Sequence, residues 1–266
     1  MLEKKGKIIL AGAGPGDAEL ITLKLQRRLA EADVILTDRL VNSAIIEMYA
    51  NTNAAIIVCG KQGYNDASYS QKEVTTLLIK YALQGKVVLR LKGGDVAFFS
   101  NVLDELIAIE QNNIDFEIIP GITAASGASA YTGIPLTARG YAQGVQFLTY
   151  NPNSNYAPES WRQFATGNDT LVFYMAAKNV TGLAEILLRY TKKPNTPLAL
   201  IEQATTIHQQ IHITTLKKCE FDFKGKQFSS PSIVIIGDVV NLHQQFNWLQ
   251  TSKEAGSVFN ELIHLK

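Results

Sequence analysis

The sequence predicts an α/β fold in two halves. Apolar runs of strand length alternate with helical stripes along most of the chain. Several of those runs end directly in glycine-rich or charged clusters. The segment Pro120–Gly140 closes one strand-and-helix series, and a second series starts after it. The halves divide as residues 1–140 and 141–250, with an appended tail at 251–266, and Pro120–Gly140 is placed against the cleft between them.

Lys7–Ala11 reads as the first strand. Gly12-Ala-Gly-Pro-Gly-Asp17 follows it, but the third glycine of a dinucleotide fingerprint would fall at Asp17. Pro15 also removes an N–H that a phosphate cradle would use. The stretch therefore reads as a sharp strand-to-helix turn, either lining a ligand edge or purely structural. Leu20, Leu23 and Leu29 form a helical stripe over about Glu19–Glu31. Val34–Thr37 is the second strand and leads into Asp38-Arg39-Leu40-Val41. Ligands of open parallel α/β sheets sit beyond the carboxyl ends of strands. Asp38-Arg39 is accordingly a site candidate, with a surface ion pair capping the next helix as the alternative.

Ala54–Cys59 is the third strand, followed by Gly60-Lys61-Gln62-Gly63; Lys61 is either a site group or a solvated loop lysine. Ser70-Gln-Lys-Glu73 is a capping box that opens a helix to Gln84, with Val74, Leu77, Leu78 and Tyr81 inward. Lys86–Leu91 is the fourth strand and runs into Lys92-Gly93-Gly94-Asp95. The paired glycines let backbone approach a ligand closely. Asp95 offers its carboxylate either to ribose hydroxyls or to the cap of a helix at about Ser100–Asn112, with Phe98 and Phe99 as apolar walls. Phe116–Ile119 is a strand cut by Pro120-Gly121. A helix of small residues follows at Thr123–Tyr131, capped by the Thr123 hydroxyl. Its bare surface admits either another backbone or a flat ligand. Asp38, Lys61 and Gly93–Asp95 reach one edge from three successive strands, which favours a site there.

In the second half, Val145–Thr149 and Thr170–Met175 are strands, and Asn151–Pro158 is a polar loop long enough for a flap. Met175 closes its strand, and core packing is its expected use. A helix runs to Tyr190. Thr196–Ile201 is a strand, and Ile207–Leu216 alternates as an antiparallel strand. Lys217–Phe228 is a charged segment. Ser229–Gly237 holds a buried final strand, and Asp238–Trp248 a closing helix.

Composition narrows the function. The 266 residues are 46% hydrophobic and 18% charged with a net charge of +1, so no global field favours nucleic acid or an anionic membrane. No apolar run approaches the ~20 residues of a membrane span. Met1–Gly14 reads as a first strand rather than a signal peptide. Cys59 and Cys219 are too few for a disulfide framework, and the expected compartment is the reducing cytoplasm. The four histidines are scattered, so no metal site is expected.

Taken together, Gly12–Asp17, Asp38–Val41, Gly60-Lys61, Val88–Asp95, Pro120–Gly140, Thr170–Met175, Thr196–Thr206 and Ser230–Val240 resemble the tetrapyrrole (corrin/porphyrin) methyltransferase family, over about Lys7 to Leu242. The resemblance implies two αβα domains with S-adenosylmethionine in a cleft between them, usually in a homodimer. It implies two successive C-methylations of uroporphyrinogen III to precorrin-2, for sirohaem or cobalamin, with S-adenosylhomocysteine as by-product. Cofactor-binding positions carried over are Pro15, Gly93, Gly94, Asp95, Phe98, Thr123, Ala124, Met175 and Ala204. Proton acceptor and donor roles fall on Asp38 and Lys61. Arg39, Arg90 and Arg139 are candidates for substrate carboxylates, since a guanidinium holds carboxylates bidentately. The chain departs from the family pattern at Gln62, where arginine is usual, at Ala67 and Ala138, where histidine is, at Val96, where proline is, and at Ser100–Leu103, where Gly-Arg-Gly-Gly is. A divergent paralogue acting on another corrin precursor, and a binding protein without catalysis, are the alternatives those departures raise.

Overall fold

A computed structural model describes residues 5–59, 69–153, 156–250 and 256–259. The chain divides into two compact units between Ala124 and Ala125, with the described residues 257–259 belonging to the first unit.

In the first unit, β1 (Lys7–Gly12), α1 (Leu23–Glu31), β2 (Val34–Thr37), α2 (Ser43–Tyr49), β3 (Ala55–Val58), α3 (Gln71–Leu83), β4 (Val87–Lys92), α4 (Val102–Gln111) and β5 (Asp115–Ile119) alternate along the chain. The strands form one parallel sheet in the order β3-β2-β4-β1-β5. Alternate residues of each strand feed opposite faces. Ile9, Ile35, Leu89 and Leu91 pack with Leu25, Leu29 and Ile45 on one face. Ile8, Leu10, Leu36 and Val88 pack with Val74, Leu78 and Ile109 on the other. Burial on both faces is why β1, β2 and β4 read as apolar runs. All five strands run the same way, so their carboxyl ends share one edge.

The capping box is present: Ser70 accepts from the Glu73 N–H at 3.3 Å, and Glu73 accepts from the Ser70 N–H at 2.6 Å. The first helix differs from expectation. Thr22 accepts from the Leu25 N–H at 3.1 Å and caps α1, which begins at Leu23. Leu23 is 73% exposed, and the inward pair is Leu25 and Leu29, four residues apart.

In the second unit, α5 (Ala124–Thr132, all but its first residue) precedes β6 (Val145–Thr149), α6 (Pro158–Thr166), β7 (Thr170–Tyr174), α7 (Val180–Arg189), β8 (Pro197–Glu202), β9 (Gln210–Thr215), α8 (Cys219–Phe223), β10 (Ser232–Ile236) and α9 (His243–Phe246). The sheet order is β6-β7-β10-β8-β9. β10 is antiparallel to both neighbours, so β7 and β8 run together and end at the same edge. Leu171, Phe173, Leu198, Leu200 and Val234 pack with Trp161, Leu183 and Leu187.

Three elements differ from their sequence reading. The polar loop ends at Pro158, which opens α6, and Trp161 and Phe164 bury that helix. The charged segment contains α8. The closing stretch is a 3₁₀ turn at Asp238–Leu242 followed by the short α9, after which the Trp248 indole donates to the Ala130 carbonyl at 2.8 Å. Of the tail, residues 251–255 and 260–266 lie outside the described residues.

Candidate active site

The carboxyl edge of the first sheet is built from loops that touch backbone to backbone. The turn after β1 and the turn after β4 are zipped together: Gly14 N donates to Gly94 O at 3.0 Å, and Gly94 N donates to Gly14 O at 2.7 Å. The loop after β5 closes on the same point. A Cβ on Gly121 would lie 2.2 Å from Gly94 O, so only glycine fits. The loop after β2 joins them through Leu40, whose carbonyl would be 2.7 Å from a Cβ on Gly93. Pro15 is buried within the first of these turns.

Gly94 itself has φ +69, in the left-handed region that glycine adopts without cost. A Cβ there would meet only Ala124 N, at 3.7 Å. The four loops therefore pack tightly on one another, and Gly94 is a glycine among them where an added Cβ would meet no clash. That glycine cradle, next to Ala124, suits a ligand that must approach backbone closely.

Asp95 holds the cradle. Its carboxylate accepts from Ala97 N at 2.8 Å and from Gly121 N at 2.7 Å, which ties the β4 loop to the β5 loop. It does not cap α4, which begins at Val102 behind Asn101, a residue with φ +54 and no side-chain cap bond. Phe98 is partly buried on the same loop, and Phe99, with φ +53, is 44% exposed.

Asp38 follows β2. Its N–H donates to Leu91 O at 3.1 Å, and its carboxylate, about one third exposed at 32%, accepts from the Arg90 guanidinium. Arg39 beside it is exposed. The expectation that Arg90 holds a substrate carboxylate does not fit its surroundings. Arg90 is 3% exposed, and it donates to Glu105 at 3.1 Å, to the carbonyls of Leu36 and Leu91 at 3.3 Å each, and to Asp38. Burial alone would lower its pKa, but the carboxylates of Asp38 and Glu105 outweigh burial and raise it. Lys61, with Gly60, Gln62 and Ala67, lies outside the described residues. Cys59 closes β3 as a buried thiol whose pKa burial pushes up to about 11.

In the second unit the ends of β7 and β8 share an edge and carry strained backbone. Met175 has φ +58 immediately after β7, while Gln203 and Thr205 have φ +45 and +69 after β8. Non-glycine residues in this region cluster at functional sites. Met175 is 64% exposed, so its expected use in core packing is wrong; the left-handed turn swings it out of the sheet. Ala204, 8% exposed, sits between the two strained residues, and the turn is held by Thr205 N donating to Gln209 at 2.9 Å. Arg139 is exposed in the turn bounded by Ala138 and Ala142.

The predicted residues thus assemble at two edges. Pro15, Asp38, Gly93, Gly94, Asp95, Thr123 and Ala124 belong to the first, and Met175 and Ala204 to the second. Sequence reasoning missed Lys92 and Glu105, which join Arg90 in a buried charge cluster. The signal was available: Glu105 occupies the inward stripe of α4 with Ile109, and both Arg90 and Lys92 lie in a strand buried on two faces. Among the described residues no group of His, Cys, Asp and Glu could hold a metal ion, and no helix is long and apolar enough to cross a membrane.

The family model of the Tetrapyrrole (Corrin/Porphyrin) Methylases matches residues 7–220. A uroporphyrinogen-III C-methyltransferase from Bacillus subtilis is 40% identical over 248 residues, 92% of this chain and 95% of that one. A siroheme synthase from Saccharophagus degradans is 41% identical over 247 residues, 93% of this chain but 54% of its own. The chain therefore spans about half the length of the siroheme synthases it matches. Among solved structures, a uroporphyrin-III C-methyltransferase from Thermus thermophilus complexed with S-adenyl homocysteine superposes with a TM-score of 0.74 at 32% identity, covering 89% of this chain and 100% of that one. A cobalt precorrin-4 methyltransferase, 24% identical with a TM-score of 0.77, shares the fold.

Proposed function

The chain belongs to the tetrapyrrole (corrin/porphyrin) methylases, and from that premise we propose that it C-methylates uroporphyrinogen III twice, with S-adenosylmethionine as donor, to give precorrin-2. The observation that carries the proposal is the near end-to-end match with the Bacillus subtilis C-methyltransferase. The product serves sirohaem or cobalamin synthesis, and the enzyme works as a cytoplasmic homodimer.

The first edge fits a nucleoside-bearing cofactor. Gly93 and Gly94 carry no side chain, a Cβ on Gly94 would meet no clash, and Asp95 ties the loop after β4 to the loop after β5. Phe98, Pro15 and Ala124 are cofactor positions on the loops of the first unit, and Met175 and Ala204, on the strained turns of the second unit, are the cofactor positions there. When bound, S-adenosylmethionine supplies a methyl group already activated on a sulfonium, so the protein needs no nucleophile of its own. The chain's task is to orient an electron-rich pyrrole carbon and exclude water.

The macrocycle must lose a proton once a carbon–carbon bond has formed. Asp38 is the acceptor: it stands at the edge, partly exposed, with one oxygen anchored by Arg90. Lys61, which lies outside the described residues, is the proposed proton donor. Arg39 and Arg139, both exposed, bind the carboxylates around the tetrapyrrole. Arg90 is withdrawn from that role and becomes the anchor of Asp38.

The test is methyl transfer from labelled S-adenosylmethionine to uroporphyrinogen III by the wild type and by Asp38→Asn. Loss of a general base lowers the rate about 10²–10⁴-fold, and S-adenosylhomocysteine binding should be retained. An unchanged rate in Asp38→Asn would remove Asp38 from the chemistry. A wild type that binds S-adenosylhomocysteine but methylates no tetrapyrrole would point to the divergent or non-catalytic alternative.

A further inference from the structure

At the first edge lies a line of alternating charge, Asp38, Arg90, Glu105 and Lys92, of which all but Asp38 are buried. Glu105 is fully buried on α4. Its Oε1 accepts from Arg90 Nε at 3.1 Å and from Gln71 at 3.2 Å, and it pairs with Lys92 Nζ at 3.1 Å. Its Oε2 has no hydrogen-bond partner among the described residues. Lys92, 2% exposed, also donates to Ser100 O at 2.8 Å and so pins the loop that carries Phe98 and Phe99.

Stability gives this cluster no clear reason to exist, because desolvation of buried ion pairs offsets their attraction and apolar replacements of similar volume often serve as well. Its geometry gives a reason. The guanidinium of Arg90 is planar and rigid. Glu105 grips it at Nε, two carbonyls grip Nη1, and Nη2 is left aimed at Asp38. Rotation of the guanidinium would carry the Asp38 carboxylate with it. Among the described residues, Asp38 and Glu105 are the two carboxylates paired with Arg90, Asp38 at Nη2 and Glu105 at Nε.

We propose that Glu105 is a positioning residue for methyl transfer: it fixes the Arg90 guanidinium and, through it, the carboxylate of Asp38. The proposal rests on the reading of Asp38 as proton acceptor. Glu105 touches neither substrate nor cofactor, and its effect on rate passes entirely through Asp38.

A double-mutant cycle reads that dependence. Glu105→Gln should lower kcat about tenfold while KM for uroporphyrinogen III and the Kd for S-adenosylhomocysteine move less than about twofold. In an Asp38→Asn background the same substitution should change kcat less than about twofold, because nothing remains to be positioned. Arg90→Lys, which keeps the charge and loses the fork, should show the same pattern and serves if Glu105→Gln does not fold. Multiplicative losses, with Asp38→Asn itself impaired, would overturn the role of Glu105 and leave that of Asp38 standing. Full activity in Asp38→Asn would overturn both.

Discussion

A single methyl group added at Gly94 separates the proposed cofactor cradle from the packing that supports it. A Cβ there meets only Ala124 N, at 3.7 Å, an ordinary contact. The folded chain must tolerate alanine at φ +69, which costs about 1–2 kcal/mol and corresponds to a fall in melting temperature of roughly 2–8 °C. The added methyl enters the cradle beside Ala124. Overpacking a fitted site costs about 1–3 kcal/mol, so S-adenosylhomocysteine should bind about 5- to 150-fold more weakly. Gly121→Ala is the control. Its Cβ would lie 2.2 Å from Gly94 O and 2.8 Å from the Gly12 carbonyl carbon, both backbone atoms that cannot swing away. That variant should lose the fold of the loop cluster itself. Calorimetric titration with S-adenosylhomocysteine and scanning calorimetry of the two variants make the comparison. Wild-type affinity in Gly94→Ala would show that the cradle is not where the cofactor sits. A wild-type melt for Gly121→Ala would refute the account of how the loops are packed.

Other outcomes follow from particular contacts. Glu117 receives Lys7 and Lys24 at 2.6 Å and Arg28 at 3.1 Å, and hydrogen bonds from Lys24, Lys7 and Arg28 hold its pKa at about 2, below the ordinary 4.5. A depressed carboxylate stabilises above its unfolded pKa, so the contribution is complete above pH 4.5 and fades as pH falls towards 2. Screening of the exposed lysines reduces it to about 1–2 kcal/mol; urea melts should show Glu117→Gln weaker by that amount at pH 7 and the gap narrowing under acid, and a gap independent of pH would contradict the charge argument. Arg39→Ala should raise KM for uroporphyrinogen III about tenfold, the loss of one charge-assisted contact, with kcat little changed; a fall in kcat at constant KM would move Arg39 out of substrate binding. Burial pushes the thiols of Cys59 and Cys219 up to about 11 and about 12, so neither should react with a disulfide reagent at pH 8 until the chain is unfolded. Rapid labelling of the native chain would show that a thiol is reachable.

What the sequence disclosed depended on how local the cause was. The parallel strands were legible because burial on two faces writes an uninterrupted apolar run, as in Val87–Leu91 around Arg90. The Ser70–Glu73 capping box was legible because all its partners lie within four residues. The start of α1 was misplaced because Leu20 and Leu23 imitate a stripe, whereas the Thr22 cap puts Leu25 and Leu29 inward. α6 was missed although Pro158 suits a first helical position and Trp161 and Phe164 share a face. Met175 looked like core because residue type does not report the left-handed turn that exposes it. At the candidate site, the glycines and Asp38 were found as strand-end clusters. Arg90 was assigned to substrate because its partner Glu105 is fifteen residues away on another element, beyond what strand periodicity reveals.

The central claim is the reaction itself, and the mass of the product tests it most directly. Uroporphyrinogen III and S-adenosylmethionine incubated anaerobically with the chain should yield a tetrapyrrole heavier by two methyl groups, with two equivalents of S-adenosylhomocysteine released. A tetrapyrrole of unchanged mass, from a preparation that binds S-adenosylhomocysteine normally, would contradict it.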